Sequence, residues 1–286
     1  MLNIRQTRPA FRLPGHSAAS RQRAKLHRGW IMLAIGILKH AFLQIFGNLR
    51  QLLHIVLLPL VLQVAGALLL MLSPATHTLV DSAPPSLFVL ALAAAFILFP
   101  MTWAAVNWHR YILLNQPQPM LPSLPLVAML RYFGTSLLVS LLVIVLAIFV
   151  LTMTRIVLVG SGTRSAILAM GVTSIAVLFV AVILFRLSTA LPAAAVGASK
   201  PIRTAWKATS GHGSTFLLVV LMMAALQIPL SLIEMLPMGS LDSIFSIIFD
   251  LMVSLVGSWV YMIIVLSVLT TLYGHFVENR PLRTNL

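Results

Sequence analysis

The sequence predicts an all-α membrane protein, a polytopic bundle of six transmembrane helices with amphipathic helices lying in the interface. Apolar residues make up 60% of the 286 and charged residues only 8%, where soluble domains carry about 25% charged residues, so no soluble fold hides this much apolar surface. Several runs reach the ~20 apolar residues that a helix needs to cross ~30 Å of hydrocarbon. The basic residues flank those runs on alternate connections, which sets an orientation. The net charge of +14 therefore answers to membrane topology, and nucleic acid is not expected as a partner. The chain has no cysteine, which removes disulfides, thiolate metal sites and cysteine nucleophiles together.

Residues 1–29 hold seven Lys and Arg and no acid, a composition that reads as a disordered basic cytoplasmic tail. An organelle transit peptide is the other reading of an Arg-rich, acid-free start. Residues 30–277 form the membrane domain, and 278–286 a cytoplasmic C-terminal tail. The apolar run 30–72 is too long for one span. Its polar groups His40, Gln44, Gly47, Gln51 and His54 repeat at intervals of four and three, a stripe on one helix face. The run is therefore expected to be an interfacial helix over 30–48 followed by a first span over 52–72. Two spans there would carry the seven cations of the tail to the far side, against the positive-inside bias.

The remaining spans are expected over 87–108, 132–153, 166–185, 216–235 and 244–273. The connections at 73–86, 154–165 and 236–243 belong outside by their low Lys and Arg content. Seventeen of the 19 Lys and Arg then fall inside, with Arg155 and Arg164 outside. Six spans with both termini in the cytoplasm follow from that asymmetry. Intervals near 80 residues between aromatic or cationic span ends (Trp108-His109-Arg110, Phe185-Arg186, Tyr273-Gly274-His275) suggest three helix-hairpin repeats, each an interfacial helix plus two spans.

The longest internal break, 186–216, reads as the cytoplasmic hub. Pro201 suits a first helical turn and Gly211 the position past a helix end, which predicts a short helix over 201–210. Ile202, Ala205, Trp206 and Thr209 share one face of it and Arg203 and Lys207 another. Such a helix is expected to lay its apolar face in the acyl boundary and its cations against anionic lipid. Arg110, Arg186, Lys200, Arg203, Trp206 and Lys207 are the candidate lipid-headgroup residues.

No catalytic, cofactor or metal arrangement emerges. The eight histidines form no H-E-x-x-H and none pairs with a carboxylate at ligand spacing. Gly211-His212-Gly213-Ser214-Thr215 lacks the lysine and the strand of a phosphate loop, and no G-x-S-x-G occurs. Inside the spans, Ser246, Asp250, Ser254 and Ser258 make a small-polar stripe of the kind that packs helices together. Gln227, Glu234 and Asp250 are the intramembrane polar candidates, either stitching helices or lining an outward-facing cleft for transport. Packing is the favoured reading.

The segments Trp108-His109-Arg110-Tyr111-Ile112-Leu113-Leu114 and Arg186-Leu187-Ser188-Thr189-Ala190-Leu191-Pro192-Ala193-Ala194-Ala195, with Ala205-Trp206 downstream, resemble uncharacterised bacterial multi-pass proteins. Those are similar to the membrane domain preceding the catalytic domain of some glycerophosphodiester phosphodiesterases. Asn115-Gln116 stands where relatives often carry Gly-Glu. The resemblance implies a six-span protein of the bacterial inner membrane, without the hydrolytic domain. The expected function is that of a non-enzymatic membrane protein, needing no cofactor, that binds or organises lipid or supports a protein partner through its basic cytoplasmic face. A small-solute or lipid permease using the Asp250 region is the alternative.

Overall fold

The computed structural model describes residues 16–72, 86–162, 165–234 and 244–282. Among these residues the chain forms helices and connections and no strand. In order they are α1 (His16–Phe46), α2 (Leu49–Leu72), α3 (Leu87–Leu114), α4 (Leu126–Gly160) and α5 (Ala166–Ser188), then the short α6 (Ala190–Val196) and α7 (Pro201–Ala208), then α8 (Gly213–Glu234) and α9 (Ile244–Phe276). Seven segments are long and apolar enough to cross a membrane: α1 from Gly29, α2, α3, α4, α5 continuing into α6, α8, and α9 from Ile248. The chain is a polytopic helical membrane protein. Five of the expected spans fall inside single helices, and the one over 216–235 runs a residue past α8.

α2 packs on α3, α4 on α5 and α8 on α9. Each pair leaves from and returns to one end, where Gln51 of α2 meets Gln118 beyond α3, and Phe216 of α8 meets Phe276 of α9. We call this the basic end. Helix α1 packs there too. Its buried Ala34, Ile37 and Ala41, spaced three and four apart so that they share a face, meet Phe216, Val219 and Met223 early in α8 and Val268, Leu269 and Leu272 late in α9.

Three features differ from the sequence reading. α1 begins at His16, within the stretch expected to be a disordered tail; Ala, Gln, Lys and Arg are good helix formers and neither Gly nor Pro interrupts them before Gly29. The polar stripe read as one helix face is shared between two helices, because the break expected between 48 and 52 falls as a turn at Gly47 and Asn48, where the Asn48 amide donates to the Gln44 carbonyl. The second hairpin has no separate interfacial helix directly before its first span, since α4 runs without a break from Leu126 to Gly160. The connections carrying Asp81, Arg164 and Asp242, and residues 1–15 and 283–286 of the tails, lie outside the described residues.

At mid-bundle the helices meet by close approach and by polar contact. Gly66 of α2 faces the Phe96 ring of α3 so closely that a Cβ there would collide with it, the small-residue contact that lets membrane helices approach. The Trp259 indole N–H of α9 donates to Gln63 Oε1 of α2 at 2.6 Å, with both side chains buried. Without a hydrophobic drive between helices in lipid, such contacts fix which faces meet.

Candidate functional site at the basic end

Four successive residues close the end of α3. Successive helical positions turn by about 100°, so each addresses a different neighbour. The Trp108 indole donates to Ser267 Oγ of α9 (3.1 Å) and His109 Nδ1 lies 2.8 Å from Thr270 Oγ1. Arg110 Nη1 donates to the Ala195 carbonyl of α6 (3.2 Å), and the Tyr111 hydroxyl donates to Asn48 Oδ1. The Thr270 hydroxyl proton is directed to the Leu266 carbonyl at 2.7 Å. Its oxygen is left to accept from His109, which assigns the imidazole proton to Nδ1. His109 Nε2 is then an acceptor, buried and without a partner among the described residues. The ring is fully buried and lies 5.7 Å, centroid to centroid, from Tyr132 of α4.

The connection after α3 is fastened just as fully. The Gln118 backbone N–H donates to Gln51 Oε1 (2.9 Å), its carbonyl lies 3.2 Å from His54 Nδ1, and its side-chain carbonyl accepts from the Ser123 hydroxyl (2.7 Å). The Ser123 carbonyl in turn accepts from Trp103 and Asn107. Gln51 and His54, expected on a single polar face with residues of α1, instead hold this loop.

Beside this closed region lies an open groove of ≈ 530 Å³ between α4 and the start of α7, lined by Leu130, Arg131, Leu138, Lys200, Ile202 and Arg203 among others. It brings together two sequence-expected headgroup residues, Lys200 and Arg203, and adds Arg131, 69 positions before Lys200. All three are exposed. The carboxylate of Glu278, at the same end, is bonded to Arg280, and among the described residues no acid pairs with the groove cations. Such a surface can hold an anion through charge-assisted hydrogen bonds while offering an apolar wall.

The predicted helix is present as α7. Pro201 opens it and Gly211 sits beyond its end at φ +80°, a left-handed conformation that only glycine adopts without strain. Its apolar face turns toward protein rather than the acyl boundary. Ala205 and Thr209 are buried, and Ile202 packs on Val139, Val143 and Leu187. The reason is α6, which the sequence reading missed and which seats α7 against the bundle. Trp206, 42% exposed, faces the Arg186 guanidinium at 4.1 Å, and Arg186 Nε also donates to Thr209 Oγ1. Arg186 is thus engaged in a cation–π pair, Arg110 is tied to α6, and Lys207 is exposed outside the groove.

The intramembrane candidates are not assembled into a site. Asp250 is half-exposed on α9, and among the described residues no hydrogen bond links it to Gln227. The Gln227 amide lies 3.5 Å from Ser231 Oγ and its Oε1 is buried without a partner there; the Glu234 side chain lies outside what is described. Among the described residues no group of His, Asp and Glu is placed to hold a metal ion.

Comparison with known proteins finds no matching family model, no matching curated protein and no matching solved structure.

Proposed function

We propose that this chain is a non-enzymatic protein of the bacterial inner membrane with six spans and both termini in the cytoplasm, whose basic end engages anionic lipid. The bacterial setting rests on the resemblance drawn from the Trp108 and Arg186 segments. The observation that carries the lipid reading is the convergence of Arg110, Arg131, Arg186, Lys200, Arg203 and Lys207 on one end. Arg155 stands 24 residues beyond Arg131 on the same helix, ~36 Å away at 1.5 Å per residue. That distance exceeds the ~30 Å hydrocarbon layer, so one helix separates a strongly basic face from a sparsely charged one. Juxtamembrane cations attract anionic headgroups by ~1 kcal/mol each.

The count of six rests on α1. Its buried Ala34, Ile37 and Ala41 meet the early part of α8 and the late part of α9, its buried Ile45 joins Leu52 and Ile55 of α2, and the Asn48 turn that follows it bonds to Tyr111 at the basic end. Contacts gathered toward the basic end suit a path along the interface rather than across the bilayer. The absence of native cysteine makes the test direct. Ser17→Cys and Ser199→Cys are expected to react with an impermeant thiol reagent from the same side, and Ser161→Cys from the other. Reaction of Ser17→Cys from the side of Ser161→Cys would establish a seventh crossing.

For function, native mass spectrometry of the detergent-purified chain is expected to find anionic phospholipid on the wild type and less of it on Arg203→Ala/Lys207→Ala. A retained water-soluble solute, lost in Asp250→Asn, would replace this reading with transport, which the unpartnered Gln227 oxygen favours. A wild type free of any lipid would end the lipid reading.

A further inference from the structure

We infer that the groove between α4 and α7 is a discrete site for one anionic glycerophospholipid, its phosphate held by Arg131, Lys200 and Arg203 and an acyl chain laid along the apolar wall. This rests on the lipid reading above but asks more of it, a single seated molecule rather than a diffuse counter-charge. The observations are independent of one another.

The first is charge without an answer. Arg131, Lys200 and Arg203 come from two separate elements and line one groove, and among the described residues no carboxylate pairs with them. Arg186, by comparison, is occupied by Trp206 and Thr209. A phosphate bearing a full negative charge accepts charge-assisted hydrogen bonds from guanidinium and ammonium groups alike.

The second is the backbone at Lys200. It has φ +49° and ψ +52°, the left-handed region. Glycine takes this conformation without steric cost, whereas a residue with a Cβ is strained there. Glycine would serve this backbone better, so the ammonium of Lys200 can be removed by substitution without cost to the local fold.

The third is shape. A volume of ≈ 530 Å³ lies within the ~300–1,000 Å³ of small-ligand clefts. Gly134 lines the groove, and a Cβ added there would meet no atom within 4 Å, so the floor beside Arg131 is open. Leu130 and Leu138, 71% and 47% exposed, bracket it on α4, eight residues or ~12 Å apart along the helix. Since α4 runs away from the basic end, Leu138 lies deeper than Arg131. The cations sit at the rim and the apolar wall continues inward, the polarity order of a phospholipid in its leaflet.

Two substitutions separate the site from the fold. Lys200→Gly removes a groove cation while relieving backbone strain. Gly134→Leu fills the open floor, removes no charge and replaces the poorer helix former. Both chains are expected to melt at or above the wild-type temperature. The control is Lys207→Gln, which removes one charge from α7 outside the groove.

The full chain in neutral detergent is titrated with phosphatidylglycerol, phosphatidylcholine or inorganic phosphate, and bound ligand is read by native mass spectrometry. Wild type is expected to hold one phosphatidylglycerol. Lys200→Gly should weaken it about ten-fold or more, the scale of one charge-assisted hydrogen bond, Gly134→Leu should weaken it by occupying the floor, and Lys207→Gln should weaken it by about two-fold or less. Equal loss in Lys200→Gly and Lys207→Gln, with Gly134→Leu unchanged, would overturn the site and leave a diffuse basic belt standing. Equal retention of phosphatidylcholine would show that charge is not what is read. Displacement of the lipid by millimolar phosphate would make it an anion site without lipid specificity. A wild type that holds none of the three would end both this inference and the lipid reading. Should Gly134→Leu fail to fold, the contrast between Lys200→Gly and Lys207→Gln decides.

Discussion

Helices α1, α2, α3, α8 and α9 and the more apolar hairpin α4–α5 are held in different ways. In the first group, indole and imidazole groups are enclosed and hydrogen-bonded between helices: Trp108 to Ser267, His109 to Thr270, Trp259 to Gln63. In the hairpin, only 11% and 6% of the most apolar windows of α4 and α5 are buried, against 28% in α2. Along its length the Thr154 hydroxyl donates to Val150 of its own helix, and the hydrogen bond from Arg186 to Thr209 that leaves the hairpin lies at the basic end. The hairpin joins the rest chiefly at the basic end, through Ala128, Met129 and Tyr132. Because lipid tails are as apolar as leucine, burial alone does not choose between a helix neighbour and lipid. Specific packing and polar contacts make that choice, and where they are sparse the surface is left to lipid. The groove lies at the seam between the two regimes.

The strongest way to break this comparison is to remove a large side chain from each region. Trp108 is 1% exposed and surrounded by protein, so lipid does not fill the space it leaves. Trp108→Ala is expected to cost about 3–5 kcal/mol. Ile148 on α4 is 63% exposed, and Ile148→Ala should stay within ~0.5 kcal/mol, as at other positions without packing neighbours. Thermal unfolding of the two variants in one detergent checks both. Similar losses would mean that the hairpin is packed as tightly as the rest and that its bare surface has another explanation.

What the sequence discloses follows from the range of the interactions. Hydropathy and length locate the membrane helices because each span satisfies its own backbone hydrogen bonds. The α7 helix was legible because Pro201 and Gly211 are local signals. The helix α6 was not, since Ala190-Leu-Pro-Ala-Ala-Ala-Val follows directly on α5 and reads as part of a loop. Arg203 was legible as a headgroup candidate through its face beside Lys207 on one short helix, and Lys200 as the cation just before that helix. Arg131 was missed as their companion because no pattern links positions so far apart. His109 read as part of an aromatic and cationic span end, and its burial depends on Thr270, as that of Asn107 does on Ser123. The stripe from His40 to His54 misled for the opposite reason: the spacing is real, but the turn at Gly47 and Asn48 carries its two halves onto different helices.

A finer test asks whether the polar contacts, rather than the aromatic bulk around them, distinguish the two regions. Gln63 and Trp259 suit a double-mutant cycle because one hydrogen bond of 2.6 Å joins them in a buried position. Gln63→Leu leaves the indole N–H unanswered, and Trp259→Phe leaves the amide oxygen so. Either alone bears the penalty of a buried, unsatisfied group, which the double variant relieves. The coupling is expected near ~0.6 kcal/mol and no more than ~1.7 kcal/mol, the range for hydrogen bonds between membrane helices. Thr154→Val on the hairpin should change stability by less than ~0.5 kcal/mol, because its hydroxyl bonds only within α4. A coupling of zero would move the distinction entirely to shape. The collision that any side chain at Gly66 would make with Phe96 and the enclosed Trp108 would then carry the specificity of the bundle without help from its hydrogen bonds.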